Sequence, residues 1–364
     1  MLEAKRWDSI DFIKGLACIA VVLIHFNFPG NIGLAVRAAG AFGVPVFFFV
    51  SGFFLGWTPQ TVMDANKLVK KIKHIFTIVI WAMVFYAFFT VFWRWINGQA
   101  GGLKEYAFSL MTATNVTKFF IQNNPFLYSH LWFLFALIYC YLFILFVPIR
   151  KKWLVGALGL LLMVGYLLMT IYHPWTKVYR FIHIPESDSV ISIFQLFPFR
   201  ALGFFLMGMY CKESVALIEK IRIKEKILVL FILGGSCLAA YEGIIFDKWQ
   251  FYNGTYIMLA ALFIWAIQNP QKGRGLIGYI GRELSLYIYI LHVAVGKIIN
   301  LIYERTSLNS ILDKIFGGGQ NVYAYTSAFI ILGMSILVAW SINKSWCMIK
   351  RFLKKVNRLC VVKQ

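Results

Sequence analysis

Lys14 and His25 stand eleven residues apart in the apolar stretch Ile10 to Phe28. Eleven helical residues turn about 1100°, so both side chains share one helix face, separated by roughly 16 Å. Ionisable groups inside a membrane span are costly, and the default reading is that they face a protein interior or a water-filled cavity and act there. Burial keeps an imidazole neutral, the form a general base needs. Such a His25 takes the proton from an alcohol as that alcohol attacks an acyl group. The alternative is a histidine hydrogen-bonded between helices as structural glue. Lys14 needs an anion: either a ligand phosphate or Asp11, three residues before it on the same face.

Other polar residues fall at membrane depth: Ser51, Arg200, Glu283, Ser285, His292 and Lys297. Arg200 follows Phe197-Pro-Phe and requires an anion or several carbonyls as partners. His292 is a second buried histidine, either functional or structural. Lys67-Leu-Val-Lys-Lys-Ile-Lys-His74 forms a basic patch with Lys70, Lys71, Lys73 and His74. It is read either as positive charge facing anionic lipid headgroups or as a seat for a phosphorylated donor.

The elements that position these residues follow from composition. The 364-residue chain is 60% apolar and 18% aromatic with only 14% charged residues, and its mean hydropathy is +0.72. That balance excludes a soluble domain and predicts an all-α, polytopic integral membrane bundle. Apolar runs long enough to cross about 30 Å of hydrocarbon give ten spans. They cover 9–29, 41–57, 75–96, 129–148, 153–172, 194–211, 227–246, 251–269, 276–301 and 323–346. The net charge of +21 points to membrane topology and not to nucleic acid, because of where the charges lie. With the N-terminus inside, the inner segments hold 22 lysines and arginines and the outer ones eight, with six more inside the spans. Ten spans with both termini cytoplasmic satisfy this bias. The chain divides into a transmembrane domain, 1–346, and a basic cytoplasmic tail, 347–364. A signal peptide is disfavoured because Asp8 and Asp11 stand where one carries positive charge.

The six cysteines fall in spans or inner segments, so no extracellular disulfide framework is implied. No Cys-x-x-Cys or His-x-x-x-His spacing suggests a metal site. Outer segments 97–128, 173–193 and 302–322 are expected to roof a site, with Tyr106 to Ile121 lying along the interface as a helix. Span 41–57 contains Gly43, Pro45 and Gly52, predicting a helix that breaks around something or a simple proline kink. Trp175, Tyr179, Trp249 and Tyr252 are candidates for stacking on sugar rings or for interfacial anchoring.

Taken in order, these pieces resemble the acyltransferase-3 family of bacterial membrane acyltransferases. Arg6-Trp-Asp-Ser-Ile-Asp-Phe-Ile-Lys-Gly15 with Val21-Val-Leu-Ile-His25 is similar to the family's first helix, its basic residue and histidine falling on Lys14 and His25. Gly43 to Phe53 is similar to the second helix. His130 to Tyr139, Arg200 to Gly208 and Ser285 to His292 resemble later segments. The family's pair of arginines three apart, entering the third helix, is matched here by Lys70 with Lys73 or by Lys71 with His74. Lysine lacks arginine's bidentate fork.

The resemblance implies transfer of an acyl group, usually acetyl, from cytoplasmic acetyl-CoA to an acceptor hydroxyl at the outer face of a bacterial plasma membrane. His25 is then the catalytic residue. Lys14, Lys70, Lys71, Lys73 and His74 are candidates for the donor's phosphates, and Asp11, Ser51, Arg200, Glu283 and His292 for support of substrate or structure. No cofactor is bound permanently; acetyl-CoA is a substrate. The expected acceptor is a surface glycan or lipid-linked saccharide, with membrane lipids as further partners and no nucleic acid. The competing expectation is a transport domain for a small substrate such as L-serine, because related membrane domains occur fused to racemases in glycopeptide resistance. Nothing after the tenth span looks like a racemase.

Overall fold

A computed structural model describes residues 6–26, 28–58, 64–99, 102–123, 125–176, 180–183, 190–192, 196–246, 251–306, 311, 314–315 and 319–361. The helices in chain order are α1 Asp8–His25, α2 Gly30–Gly40, α3 Gly43–Leu55, α4 Ala65–Ile96, α5 Leu103–Leu110, α6 Ala113–Gln122, α7 Trp132–Phe146 and α8 Lys152–Thr176. Then come α9 Gly203–Glu213, α10 Val215–Ile221, α11 Glu225–Phe246, α12 Asn253–Gln268, α13 Leu276–Tyr279, α14 Ser285–Arg305 and α15 Gly319–Val361. π-helical turns at Pro198–Leu202 and Ile280–Leu284 lead into α9 and α14. Strands β1 (Arg180–His183) and β2 (Val190–Ser192) pair antiparallel beside this helical architecture.

Each of the ten expected apolar stretches overlaps a helix. Among the described residues, six helical spans are long and apolar enough to cross a membrane: Gly30–Leu55, Ala65–Ile96, Ser129–Phe146, Glu225–Phe246, Leu276–Arg305 and Val322–Arg351. Counting Pro198–Glu213 with Val215–Ile221, bent by 74°, makes seven. Large apolar side chains also point outward, as at Phe76, Trp81, Phe88 and Trp95 of α4 and Leu230, Phe231 and Leu233 of α11. Such faces suit lipid, not water. Along these helices Ser51, Thr90 and Ser285 each donate to the carbonyl four residues earlier, at 2.7, 2.7 and 2.8 Å, so their hydroxyls stay satisfied without water.

Residues 30–40, outside the ten expected spans, form α2; its Ala38 and Leu34 pack against Gly243 of α11, where a methyl group would overlap Ala38. Three expectations about local structure change. Pro45 lies in the first turn of α3, where a missing N–H costs nothing, so it neither kinks nor breaks the helix; the interruption is at Ala41 and Phe42. The expected single helix over 106–121 is two, because the Thr112 side chain accepts from Asn115 N–H and caps a new start. The tail expected from 347 continues α15 to Val361.

The chain forms two compact units, residues 1–43 with 223–364, and residues 44–222. In the first, α1 meets the α13–α14 segment backbone to backbone. A methyl group on Gly15 would overlap the Ile277 carbonyl, and one on Gly281 the Asp11 carbonyl and Gly15 nitrogen. Gly235 of α11 and Gly254 of α12 make a second approach of this kind. Small residues let helix backbones close in where lipid offers no hydrophobic drive for association. Buried Glu242 of α11 accepts from Gly254 N–H at 3.0 Å and Asn253 Nδ2 at 2.6 Å, holding a negative charge at the α12 N-terminus.

The starts of α1 and α11 and the α12–α13 connection gather at one end of this unit. Asp8 is buried and bound by Arg274 Nε at 2.7 Å and Arg6 Nε at 2.6 Å. Ser9 Oγ donates to the Ala266 carbonyl at 2.7 Å, and Glu225 pairs with Lys272.

In the second unit, Gly52 of α3 and Gly208 of α9 are in similar backbone contact, with Phe205 and Phe49 carbonyls in place of any side chain. Trp57 Nε1 donates to the Ile149 carbonyl at 2.8 Å, and Lys152 Nζ to the Glu213 carbonyl at 2.9 Å. The ends of α3, α7 and α9 and the start of α8 therefore share one end of this unit.

Gly281→Ala must displace backbone and is expected to destabilise the protein by about 3 kcal/mol, read as a fall in the unfolding midpoint of purified protein. The Arg274 hydrogen bond and the Arg6 charge hold the Asp8 carboxyl below its ordinary value of 3.8. Its stabilisation is complete above that value and is lost as pH falls through the lowered one. The midpoint gap between wild type and Asp8→Asn should thus stay constant from pH 7 to about 4 and narrow only below that, measured by thermal unfolding.

Candidate active site

α1 carries both residues of the opening pair, and its glycine contacts set where they stand. Lys14 lies beside Gly15, so the α13–α14 segment passes it closely. Its Nζ is 3.8 Å from Asp11 Oδ1, and both groups remain partly accessible. Glu283 and Arg282 are the next charges within electrostatic reach of Lys14. They pair with each other at 2.9 Å. This end of the helix pair is thus a mixed-charge cluster of Asp11, Lys14, Arg282 and Glu283. Asp11 satisfies Lys14 loosely and leaves its ammonium able to meet a further anion.

Farther along α1, His25 Nδ1 lies 2.8 Å from the Val21 carbonyl. A carbonyl only accepts, so Nδ1 is the protonated nitrogen and Nε2 carries the lone pair. His25 is exposed, not sealed in the helix packing. His292 comes against it from α14, ring centroids 4.8 Å apart and planes at 78°. Its Nδ1 is 2.8 Å from the Tyr289 carbonyl and 3.0 Å from that of Ile288, and the side chain is fully buried. The two carbonyls fix His292 as a wall against which the His25 ring rests. Phe26 closes the other side, its ring 6.3 Å from His292 and seated in the notch left by Gly296. The arrangement presents one imidazole with a defined basic nitrogen, on a rigid support, in an otherwise apolar setting. That is a device for removing a proton from a hydroxyl group.

The first unit brings Asp11, Lys14 and Glu283 together at one level, and His25 with His292 at another. Ser51, Lys70, Lys71, Lys73, His74 and Arg200 belong to the second unit. There Ser51 is engaged with the Phe47 carbonyl. Lys70, Lys73 and His74 are exposed on the first turns of α4, while Lys71 is half-buried with its Nζ 6.0 Å from the Tyr141 ring centroid. Arg200 stands in the π turn before α9, with its guanidinium carbon 3.8 Å from the Trp132 ring centroid. Tyr252, a candidate for sugar stacking, is buried against Ala38 and Ala239 and unavailable for it; Tyr179 and Trp249 lie outside the described residues, as does the side chain of Trp175.

Sequence reasoning passed over the Asp8–Arg274 pair and the tryptophan beneath Arg200. For the second a signal existed: His130-Leu-Trp132 begins α7 at membrane depth with two polar-tipped rings. For the first there was none, because 266 residues separate the partners.

A histidine ring held by a backbone carbonyl, in a multi-pass helical protein, is chemically able to take a proton from a hydroxyl or similar nucleophile. A family model described as an acyltransferase domain matches residues 7–344, nearly the whole chain, and the chain belongs to that acyltransferase-3 family. The membrane enzyme is accordingly an acyltransferase by class. Searches of curated proteins and of solved structures return no match.

Gly296→Ala puts a methyl group into the Phe26 ring, a side chain that is able to swing away. The expected outcome is an unchanged unfolding midpoint with acyl transfer several-fold lower, because Phe26 adjoins His25; both are measured on the same purified variant.

Proposed function

We propose that the chain is an O-acetyltransferase of the bacterial plasma membrane. It moves an acetyl group from cytoplasmic acetyl-CoA to a hydroxyl of a surface glycan or lipid-linked saccharide. The observation that carries this reading is the placement of His25: Nδ1 lies 2.8 Å from the Val21 carbonyl and the ring packs edge-on against buried His292. The lysine and arginine bias of the sequence supports it. In this reading the N-terminus is cytoplasmic, so the Asp8 end of α1 faces the side of acetyl-CoA and the His25 end the side of the acceptor.

In the reaction, His25 Nε2 takes the hydroxyl proton as the acceptor oxygen attacks the thioester carbonyl carbon. The carbon–sulfur bond breaks, and the coenzyme A sulfur takes the proton back from His25. His292 keeps the ring from turning as it gains and loses that proton. Lys14 serves the donor at the inner end, meeting a phosphate oxygen while Asp11 limits the cost of the empty state. The roughly 16 Å from Lys14 to His25 along α1 is a distance that an extended pantetheine arm is able to cover. The basic run Lys70, Lys71, Lys73 and His74 is the second candidate for donor phosphates; single ammonium groups there give charge without the bidentate grip of arginine.

Proteoliposomes containing the full chain, given radiolabelled acetyl-CoA and a membrane extract as acceptor source, test the reading. Wild type should transfer label to a saccharide-containing product. His25→Ala should remain folded by size-exclusion and lose transfer by about 1000-fold. Normal transfer by that variant, or uptake of labelled serine with no acetyl transfer by wild type, would overturn it.

A further inference from the structure

Among the described residues, Arg200 is a charge of the second unit, set deep in its helices, that no carboxylate balances. It lies thirteen residues before Glu213, which with Lys152 marks one end of that unit, so it stands about 20 Å from that end. Its partner Trp132 begins α7, fourteen residues before Phe146, at the same remove. The guanidinium carbon sits 3.8 Å from the centroid of the Trp132 ring. A cation stacked on indole gains about 2 kcal/mol when desolvated, whereas burying an uncompensated charge costs several times that.

Stacking uses the face of the guanidinium and leaves its edge, where the N–H groups point. Among the described residues no carboxylate pairs with Arg200, and its buried Nε has no acceptor. Tyr166 of α8, a neutral phenol, is the titratable group whose charge it would feel. The residue as a whole is only partly buried, so its terminal nitrogens stay reachable. The two terminal Nη groups form one of the two forks with which arginine takes two oxygens of a carboxylate or phosphate. The local backbone holds that fork still. The π turn Pro198–Leu202 fixes the residue, and Gly203 lets this turn close on Gly159 and Leu162 of α8.

We propose that Arg200, stacked on Trp132, is an oxyanion-binding site that takes a carboxylate or phosphate group of a ligand at this depth. The chemistry has two sources, an acidic saccharide or a lipid headgroup, and it stands whether or not the chain transfers acetyl groups.

Thermal unfolding of the full chain in phosphatidylcholine nanodiscs tests the proposal, with sodium glucuronate and inorganic phosphate as probes against sodium chloride at equal ionic strength. Wild type should show a saturable rise in midpoint with one of the two probes. R200Q should lose the saturable part, and R200K should need about tenfold more probe, having lost the fork. Discs containing phosphatidylglycerol separate the sources. If the headgroup is the ligand, they raise the wild-type midpoint by themselves and abolish the effect of the soluble probes; if the ligand is an acidic saccharide, the glucuronate response persists. A wild type indifferent to both probes and to phosphatidylglycerol overturns the proposal, as does R200Q responding like wild type. Should R200Q fail to fold, R200K decides, and an unchanged affinity in R200K overturns it.

Discussion

The contact on which the candidate site depends is the meeting of α1 with the α13–α14 segment through Gly15 and Gly281. Two helices with side chains at that crossing stand 8–10 Å apart; here the carbonyls of Asp11 and Ile277 occupy the space a methyl group would need. This proximity fixes the relative height of the two helices. Once it is set, Lys14 comes level with Arg282 and Glu283, Cys18 reaches the Ser285 carbonyl at 3.9 Å, and His25 arrives at His292. The histidine pair is thus a downstream result of a glycine contact more than two helical turns away.

Two designs for an ionisable group in an apolar protein stand side by side in this chain. The acids of the first unit are answered by the protein: Asp8 by two arginines, Glu225 by Lys272 and Trp265, Glu242 by a helix N-terminus. Each joins separate elements and so holds the fold. His25 and Lys14 are held without a close ion pair, His25 against the Val21 carbonyl and the His292 ring and Lys14 by a carboxylate at 3.8 Å. Groups of the first kind stabilise. Groups of the second kind are placed to meet something else, and their cost is tolerated because the glycine contacts are strong enough to carry it.

Much of this was legible in the sequence, because a membrane leaves few ways to satisfy a backbone. Apolar run length located the helices, and helical spacing put Lys14 with Asp11 and both with His25 on one element. The family's motifs pointed to His292 as well. What stayed hidden depended on partners far along the chain. α2 falls outside the apolar runs that located the spans, and its glycines at 30, 33 and 40 weaken a helix in isolation; in the fold it packs on Gly243. Pro45 looks like a break until the start of α3 is seen to coincide with it. Nothing local to Arg200 says that Trp132 lies beneath it, since 67 residues intervene.

Ile280–Leu284, whose Gly281 meets α1 near Asp11, winds as a π turn ahead of His292, which meets α1 near His25. Two straight α-helices that cross at an angle touch over a short length and then diverge. A π turn admits one extra residue into the helix and swings every later side chain by about 100°. The strand of contact on this segment is therefore rephased at its charged end, and it stays against α1 as far as the imidazole end. One surplus residue does what a matched pair of curved helices would otherwise be needed to do: it keeps a single interface in step over roughly four helical turns of α1.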